Sequence, residues 1–351
     1  MTIDQTRLDQ FLGQFVLDLG ATISAPLVVI GDRLGLYRAL AADGPQTSGE
    51  LAANTGCAER YVREWALNQA AGGYVMYDPE GATFSLSPEQ ALCLADENSP
   101  AFIPGGLLLA ISTAKDLEKI EERFRTGEGL GWHEHHPDLF AGTERFFRPG
   151  YLGNLVSSWL PALDGVVEHL TAGIAVADVG CGHGASTIIM AEAFPASTFV
   201  GFDYHGPSID AARKRAADAG VGDRVSFEVA SAHDFPGDGY GLVAFFDCLH
   251  DMSDPLGAAR HVHEALSADG TWMIVEPYAN ETAIDNFNPV GRVFYGASTM
   301  ICTPAGVLDG GLGLGNQVGD QQWAEMLGGV GFTHFRRASE TPFNRVFAAR
   351  P

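Results

Sequence analysis

The chain has 351 residues, of which 46% are hydrophobic and 19% are charged, a composition typical of a globular protein with about two domains. Acidic residues outnumber basic ones 44 to 21, and the net charge is −23. This charge disfavours nucleic acids and anionic membranes as partners, because both are polyanions. The five cysteines are widely spaced without a CxxC pair, which favours a reducing compartment over a disulfide framework or a zinc site.

The sequence contains no predicted signal peptide or membrane-spanning segment. The first ten residues are too polar for a signal peptide, and the longest apolar run, residues 101–112, is too short to span a bilayer. We therefore expect a soluble cytoplasmic protein without membrane association.

The first 95 residues predict a mainly helical domain with a small hairpin. Apolar residues recur at helical spacing over residues 8–19, and a second helix is expected to follow Pro26 and to end near Leu40. Two more helices, at about 47–54 and 58–71, are separated by a turn and precede the hairpin. This order of elements is typical of a winged helix-turn-helix.

Residues 96–170 are predicted to form a mostly helical linker and lid. This region ends in a polar and aromatic stretch, residues 132–151, which includes three histidines within four residues. Because no second cluster of ligands accompanies these histidines, we do not expect a metal site. The predicted domains are therefore residues 1–95, 96–170 and 171–351.

From residue 171 onward the pattern changes to short β-branched runs, each followed by a helical stretch or a turn. This alternation predicts βαβ units and a mostly parallel sheet. The runs occupy residues 174–179, 198–202, 225–229, 242–246 and 271–275. The chain then ends in two adjacent runs joined by a short turn, which must be antiparallel. The predicted fold class is α/β, with a seven-stranded Rossmann-like sheet.

The sequence VADVGCGHGAST combines the end of the first predicted strand with a glycine-rich turn into a helix. Glycines at positions 180, 182 and 184 let a ligand approach the backbone, and the following helix has free N–H groups. Dinucleotide-binding enzymes use a similar turn, so this feature alone does not decide the ligand. Three features together separate the possibilities. The spacing is GxGxG with the acidic Asp178 two residues before Gly180, Asp203 ends the second strand where a carboxylate can bind two ribose hydroxyls, and the sheet closes with an antiparallel pair that a plain dinucleotide fold does not need.

This combination resembles the class I S-adenosylmethionine-dependent methyltransferases over residues 171–351. With a winged helix and a helical linker before it, the chain looks like the dimeric small-molecule O-methyltransferases. The resemblance implies a methyltransferase sheet with an antiparallel C-terminal hairpin, S-adenosylmethionine as cofactor and a small-molecule acceptor. It also implies a homodimer formed through the N-terminal domain.

The resemblance further implies a cofactor site at the carboxyl edge of the sheet. The residues matched to it are Asp178, Gly180, Cys181, Gly182, Asp203, Tyr204, Asp234, Phe235, Asp247 and Arg148. In this interpretation the glycine-rich loop lies under the methionyl group and the ribose, and Asp203 binds the ribose. Tyr204 stacks on adenine, Asp234 accepts the adenine amine, Asp247 lies at the reacting end and Arg148 pairs with the cofactor carboxylate.

A second motif, FFDCLHDMSDP, follows the fourth predicted strand. In the resembling family the pattern is Leu/Cys-His-Asp-Trp-Ser-Asp, and its histidine is the general base. His250 and Asp251 match this pattern, whereas Met252 replaces the Trp. Glu276 matches the first carboxylate that orients the histidine, but Gln317 stands where the second, a Glu, is expected. The resemblance therefore implies a catalytic group of His250, Asp251 and Glu276, in which Gln317 cannot stabilise an imidazolium by charge. A His250 that only shapes the pocket remains an alternative.

Aromatic and sulfur side chains are the candidates for the acceptor pocket. Trp132 and Phe147 lie in the stretch that packs over the site in the resembling family, and Phe147 could form a lid. Tyr295 and Met300 follow the fifth strand and would line the pocket. A plain core helix is the alternative for these last two residues.

A winged helix also raises the possibility of a DNA-binding regulator with a vestigial or ligand-sensing methyltransferase domain. Residues 45–95 contain only two arginines against six carboxylates, too little positive charge to neutralise DNA phosphates. We therefore interpret this domain as a dimerisation module, with the apolar residues of 8–19 in the interface. A cofactor-binding relative without transferase activity is a third possibility.

Overall fold

The computed structural model describes residues 2–351, which divide into two compact units. The first unit contains the chain up to Ser112 together with Ala141–Pro149, and the second contains Thr113–Phe140 and Gly150–Pro351. The domain boundaries at residues 95 and 170 stay a prediction.

The first unit has the predicted order of helices and wing. Its elements are α1 (Gln5–Arg33), α2 (Leu36–Asp43), β1 (Gln46–Thr47), α3 (Ser48–Thr55), α4 (Glu59–Ala71), β2 (Met76–Asp78), β3 (Thr83–Ser85), α5 (Pro88–Leu94) and α6, which begins at Pro104 and ends at Thr113. The three short strands form an antiparallel sheet in the order β1-β3-β2. At the start of α3, Thr47 and Glu50 form a reciprocal capping box, which satisfies backbone donors of the first turn. The winged-helix prediction is confirmed.

The first helix differs from its prediction. α1 continues through Pro26, and the next helix begins only at Leu36, after Gly35 has taken a left-handed conformation. Proline removes one backbone hydrogen bond from a helix but does not end every helix that contains it. As a result, α1 is long and apolar enough by length and composition to cross a membrane. Its most apolar window has a mean hydropathy of 1.6 and is only 17% buried.

The second unit contains the predicted α/β sheet. Its helices are α7 (Leu117–Thr126), α8 (Asp138–Asn154), α9 (Val166–Ala172), α10 (Ala185–Ala193), α11 (Gly206–Asp218), α12 (Pro255–Ala265), α13 (Pro289–Ala297), α14 (Thr303–Gly306) and α15 (Asp320–Gly328), although part of α8 packs in the first unit. Its strands are β4 (Ala175–Val179), β5 (Thr198–Asp203), β6 (Val225–Val229), β7 (Tyr240–Phe246), β8 (Leu266–Pro277), β9 (His334–Glu340) and β10 (Asn344–Arg350).

The seven strands lie in the order β6-β5-β4-β7-β8-β10-β9. Strands β4 to β8 are parallel to one another, and β10 is antiparallel to both β8 and β9, so the predicted sheet is confirmed. The chain runs outward from β4 to β6 and then crosses to β7 on the other side of β4. Open α/β sheets bind ligands at such a reversal, beyond the carboxyl ends of the strands.

Candidate active site

The loop after β4 holds its backbone in conformations that favour glycine. Gly180, Gly182 and Gly184 all have positive φ angles, of 75°, 51° and 77°. The N–H groups of Gly180 and Cys181 donate to the carbonyl of Phe202 at 2.8 and 3.0 Å, which ties the loop to the end of β5. A Cβ on Gly180 would lie 2.7 Å from the Cys248 sulfur, whereas a Cβ on Gly182 would meet nothing within 4 Å. Gly182 therefore faces open space.

Asp178, at the end of β4, stabilises this loop through hydrogen bonds to the following helix. Its side chain is fully buried, and Oδ2 accepts the hydroxyls of Ser186 and Thr187, each at 2.6 Å. Burial raises the pKa of Asp178 to about 6, against the lowering effect of these two hydrogen bonds. Its other oxygen, Oδ1, has no hydrogen-bond partner among residues 2–351. Asp178 therefore joins the end of β4 to the first turn of α10.

Asp203 connects the loops that follow β4 and β5. Its Oδ2 accepts the N–H of Gly182 at 2.9 Å, and its Oδ1 accepts the N–H of His205 at 2.8 Å. Burial raises the pKa of this carboxyl, although both backbone donors act in the opposite direction. The next residue, Tyr204, is half exposed and meets the ring of His133 edge-on, with the centroids 6.0 Å apart.

Asp234 and Phe235, which lie in the segment after β6, differ in their exposure. Asp234 is exposed, and its carboxylate accepts the N–H of Ser231 at 3.2 Å, a contact within the local turn. Phe235 is only 1% exposed and packs in the sheet core, where its ring lies 5.3 Å from Phe202 and 4.4 Å from His261. The ring of Phe235 therefore belongs to the core, and its expected role at the cofactor stays a prediction.

His250 and Glu276 meet at the carboxyl ends of two neighbouring strands. His250 lies in a tight turn, Leu249–Asp251, shortly after β7, and Glu276 lies near the end of β8. The imidazole Nδ1 is 2.7 Å from Glu276 Oε2, and both side chains are buried. Burial lowers the pKa of His250, but the Glu276 carboxylate and the Cys302 thiol outweigh it and hold this pKa well above its ordinary value. The turn after β7 thus carries a carboxylate-bound imidazole.

Two further carboxyls lie beside this pair. Burial raises the pKa of Asp251 to about 7, with His250 opposing the shift and Glu276 adding to it. Asp247 has a left-handed φ of 52°, a conformation that costs about 1–3 kcal/mol for a residue other than glycine. Its carboxylate accepts the amide of Asn344 at 2.7 Å and the hydroxyl of Tyr151 at 3.4 Å. These two contacts hold Asp247 against β10 and the end of α8.

Gln317 turns its amide toward backbone groups. Its Nε2 donates to the carbonyls of Tyr278 and Asn316 at 3.2 and 3.1 Å. Its Oε1 is buried without a hydrogen-bond partner in the part of the chain that the structure describes. The position that carries a second carboxylate in the resembling family therefore holds a neutral amide that is not hydrogen-bonded to the imidazole.

The candidate acceptor residues fall in two places. Trp132 packs on Phe140, with the ring centroids 5.2 Å apart, and Phe140 packs on His205 at 4.6 Å, so this segment lies beside the end of β5. Tyr295 lies in α13, and Met300 lies in the π-helical turn that follows it, Ser298–Cys302. Both of these side chains are half buried.

Two predicted site residues, Phe147 and Arg148, belong to the first unit. The ring of Phe147 contacts Phe146 at a centroid distance of 4.9 Å. Arg148 donates to the carbonyl of Glu97 at 3.0 Å and to the side chain of Asn98 at 3.1 Å. These contacts of Phe147 and Arg148 are all made within the first unit.

The three neighbouring histidines make separate contacts. The Nδ1 of His135 lies 3.1 Å from Asp116 in a buried pair, whereas His133 packs on Tyr204. Across residues 2–351, no group of three or more His, Cys, Asp or Glu side chains is arranged to hold a metal ion.

Cys302 and Asn316 are contact residues that the sequence did not single out. The turn that ends in Cys302 packs on the turn that contains His250, and the Asn316 amide nitrogen lies 3.6 Å from the Cys302 sulfur. Neither residue belongs to a recognisable motif, and the π-helical turn shifts the helical register before Cys302. No spacing rule would have placed the turn of Cys302 beside the turn of His250.

The sheet order, the glycine-rich loop and the carboxylate after β5 define the second unit as a Rossmann-like methyltransferase domain. In agreement, residues 170–323 match the family model of a methyltransferase domain, and residues 22–96 match that of an Rv2258c-like winged HTH domain. The chain therefore combines a methyltransferase domain with an N-terminal winged-helix domain.

Solved structures with the same fold cover nearly the whole chain. An O-methyltransferase family protein from Burkholderia thailandensis is 17% identical with a TM-score of 0.67, and the match covers 100% of this chain and 99% of that one. Human N-acetylserotonin methyltransferase, in complex with S-adenosylmethionine, is 15% identical with a TM-score of 0.69 and 99% coverage of both chains. The O-methyltransferase NcsB1 of neocarzinostatin biosynthesis, with S-adenosylmethionine and 2-hydroxy-5-methyl naphthoic acid, is 18% identical with a TM-score of 0.57, covering 93% and 95%.

The difference between Gly180 and Gly182 yields a testable prediction. Replacing either with alanine puts a side chain on a left-handed backbone, at a cost of about 1–2 kcal/mol. Gly180→Ala also forces its Cβ against the Cys248 sulfur, which adds about 1–3 kcal/mol of overpacking. Urea unfolding should therefore show a larger loss of stability for Gly180→Ala than for Gly182→Ala. Equal losses would contradict this packing of the loop.

Proposed function

We propose that this protein is an S-adenosylmethionine-dependent methyltransferase that methylates a hydroxyl group of a small molecule. The observation that carries the proposal is the carboxylate-bound imidazole of His250, which lies at the same sheet edge as the glycine-rich loop and Asp203. The O-methyltransferases that share the fold, one of them with a hydroxy-naphthoic acid, support the choice of oxygen and of a small acceptor.

The residues at the ends of β4 and β5 fit the cofactor. Gly182 faces open space, and Asp178 keeps one buried oxygen without a partner among the described residues. Each Asp203 oxygen accepts one backbone N–H and has a second lone pair for a ribose hydroxyl. We assign Asp203 to the ribose, Tyr204 to the adenine, and Gly180, Cys181 and Gly182 to the loop below them. When bound, S-adenosylmethionine supplies an electrophilic methyl group on a cationic sulfur.

The chain's own residues orient the acceptor and take its proton. Glu276 accepts the Nδ1–H of His250, so the neutral ring carries its lone pair on Nε2. This nitrogen accepts the proton as the hydroxyl oxygen attacks, and Glu276 then stabilises the imidazolium by charge. A positioned base contributes about 10²–10⁴-fold to the rate. Alignment of the reacting atoms contributes about 7–11 kcal/mol.

Asp251 and Asp247 complete the acidic surroundings of His250. Both have a raised pKa, chiefly because of burial, and both lie close enough to His250 for its charge to lower that pKa. In this proposal they help to hold the imidazolium that forms, and Tyr295 and Met300 line the acceptor pocket.

A DNA-binding role has little support from the winged helix. Arg60 is paired with Glu64 and Arg63 with Glu59, each pair one turn apart on α4. These ion pairs neutralise the arginines on their own helix, so the wing region offers little positive charge to a phosphate backbone.

We propose that the protein forms a homodimer through α1 and acts in the cytoplasm. Large apolar side chains of α1 stay exposed, and the two phenylalanines Phe11 and Phe15 are 72% and 55% exposed. A contiguous exposed apolar surface of this kind marks a protein or membrane contact. A second copy would cover it by a symmetric contact, and the acidic charge of the chain disfavours an anionic membrane.

The base role is tested by His250→Ala. We expect transfer of tritiated methyl groups to a panel of phenols to fall by about 10²–10⁴-fold, with little change in adenosylhomocysteine affinity. The exposed His334→Ala serves as the control. If His250→Ala has the turnover of the wild type, His250 is not the general base.

The pH dependence follows from the raised pKa of His250. A general base must be deprotonated, so kcat/KM should still be rising at pH values above the ordinary imidazole pKa of about 6.5. If kcat/KM instead stops rising well below a pH of about 6.5, the pKa of His250 is not raised and this prediction is wrong.

The cofactor assignment is tested by Asp203→Ala. Loss of a charge-assisted hydrogen bond should weaken adenosylhomocysteine binding by about 1.5–3 kcal/mol in calorimetry. Asp210→Ala, an exposed carboxylate on α11, should leave the affinity unchanged. Equal affinity of wild type and Asp203→Ala would refute the ribose assignment.

The dimer is tested by the double variant Phe11→Glu, Phe15→Glu. Light scattering should show a dimer for the wild type and a monomer for the variant, because two buried charges would oppose the contact. Gln10→Glu provides a control on the same helix. A monomeric wild type that binds neutral lipid vesicles would favour a membrane contact instead.

A further inference from the structure

The two residues that follow β7, Asp247 and Cys248, connect the strands on either side of it. Strand β7 lies between β4 and β8, and all three strands are parallel. On one side, the backbone N–H of Asp247 donates to the carbonyl of Val275 in β8 at 2.8 Å. On the other side, the Cys248 thiol donates to the carbonyl of Val179 at 3.4 Å. Val179 is the last residue of β4, and the glycine-rich loop begins directly after it.

The backbone of Asp247 leaves the extended conformation of β7. Its φ angle of 52° is left-handed, which is uncommon for a residue other than glycine. The carboxylate accepts the amide of Asn344 in β10 and the hydroxyl of Tyr151 in α8, at 2.7 and 3.4 Å. Backbone strain of this kind persists where the surroundings determine the conformation, and it is frequent at functional sites. Contacts with β8, β10 and α8 therefore fix the turn from which Cys248 reaches β4.

The Cys248 sulfur also packs against the backbone of the glycine-rich loop. A Cβ on Gly180 would lie 2.7 Å from this sulfur, which is closer than van der Waals contact allows. Only a residue without a side chain leaves room for the thiol at this place. Burial raises the pKa of the Cys248 thiol well above its ordinary value, and nearby carboxylates act in the same direction. The thiol therefore keeps the hydrogen that it donates to Val179.

The same segment leads into the turn of the candidate base. His250 lies two residues after Cys248, in the turn that begins directly after the sulfur-bearing residue. Val275, which accepts the N–H of Asp247, directly precedes Glu276, and the Glu276 carboxylate lies 2.7 Å from the His250 imidazole. The segment thus contacts the start of the glycine-rich loop and is continuous with the turn of the base.

We propose that Cys248 is a positioning residue, whose sulfur holds the glycine-rich loop at a fixed distance from the turn of His250. The inference deepens the proposed function and rests on it for its meaning in catalysis, because the cofactor methyl group must be in line with the oxygen that His250 deprotonates. Cys248 acts through the loop and the turn and takes no part in the proton transfer. Its physical content is that a displacement of the loop reaches the turn of His250 through this sulfur.

The first experiment adds a methyl group to the loop and observes His250, without cofactor or acceptor. Full-length protein is labelled with ¹⁵N-histidine, and the His250 signals are identified by their loss in His250→Asn. Gly180→Ala should move these signals by more than a line width, because its Cβ displaces the sulfur. Gly182→Ala is the matched control, since its backbone is also left-handed but its Cβ meets nothing within 4 Å. This control should leave the His250 signals in place.

Removing the sulfur should break this connection. In a Cys248→Ala background, Gly180→Ala should no longer move the His250 signals. Its cost to the folding equilibrium constant, measured in urea, should also be about tenfold smaller than in the wild type, because the two sites are in contact. In a Cys93→Ala background, where the lost thiol belongs to the first unit, Gly180→Ala should have its full effect.

Two results would overturn the proposal at this stage. One is an equal movement of the His250 signals with and without the sulfur, or no movement in either background. The other is an unchanged folding cost of Gly180→Ala in the Cys248→Ala background. If Gly180→Ala does not fold by itself, as judged by its melting curve, the double variant with Cys248→Ala should fold, and its failure to do so would contradict the proposal.

The role in catalysis is tested by steady-state methyl transfer. Cys248→Ala should lower kcat by about 10²-fold, because a small misplacement of the reacting groups is costly, and should leave the affinity for adenosylhomocysteine close to that of the wild type. Cys248→Ser, which keeps a hydrogen-bond donor for Val179, should recover part of the loss, and Cys93→Ala should match the wild type. An equal loss in the Ala and Ser variants, or a lower affinity with unchanged kcat, would refute the positioning role.

The two experiments separate the inference from the proposed function. If the wild type transfers no methyl group to any acceptor, the proposed function fails. The His250 signals and the urea measurements then still decide whether the Cys248 sulfur connects the loop to the turn.

Discussion

The contact between His250 and Glu276 depends on β7 and β8 lying side by side and ending at the same edge. In the strand register, Glu276 of β8 lies opposite Arg345 of β10, while β7 lies on the other side of β8. Glu276 is therefore inside the sheet and is buried from water. A carboxylate in that position must have a partner, because burying an unpaired charge is costly. The imidazole is that partner, and the turn that carries His250 is held close to the end of β8 as a result. The parallel part of the sheet therefore sets the geometry of the candidate site.

Three acidic side chains at this edge accept hydrogen bonds from neutral hydroxyl, amide and backbone N–H groups. Asp178 is held by two hydroxyls, Asp203 by two backbone N–H groups, and Asp247 by an amide and a phenol. Hydrogen bonds of this kind favour the charged form, whereas burial opposes it, and burial is the larger effect for the pKa of all three carboxyls. Within residues 2–351, no cation is hydrogen-bonded to these three carboxyls, so a cationic ligand bound beside them would favour their charged form.

The winged-helix unit has the same elements as a DNA-binding module but a different surface. Its arginines on α4 are paired within the helix, while α1 exposes a long apolar face. Charge and exposed apolar area, and not the fold, decide what such a module can bind. These surfaces favour contact with another apolar surface over contact with DNA.

The sequence by itself determined the order of the elements, because hydrophobic periodicity and turn residues are local signals. It located the winged helix, all seven strands of the large sheet and the glycine-rich loop, and the resemblance to the O-methyltransferases added the pair of His250 and Glu276. It failed at α1, where the sequence predicts that a new helix follows Pro26 but one helix continues through this residue, since the cost of one lost backbone hydrogen bond does not decide between a break and a continued helix. Only the tertiary structure decided that Phe235 is in the core, that Gln317 is directed to the backbone and that the turn of Cys302 packs on the turn of His250. These three results depend on packing between segments far apart in the chain, for which no local pattern in the sequence carries a signal.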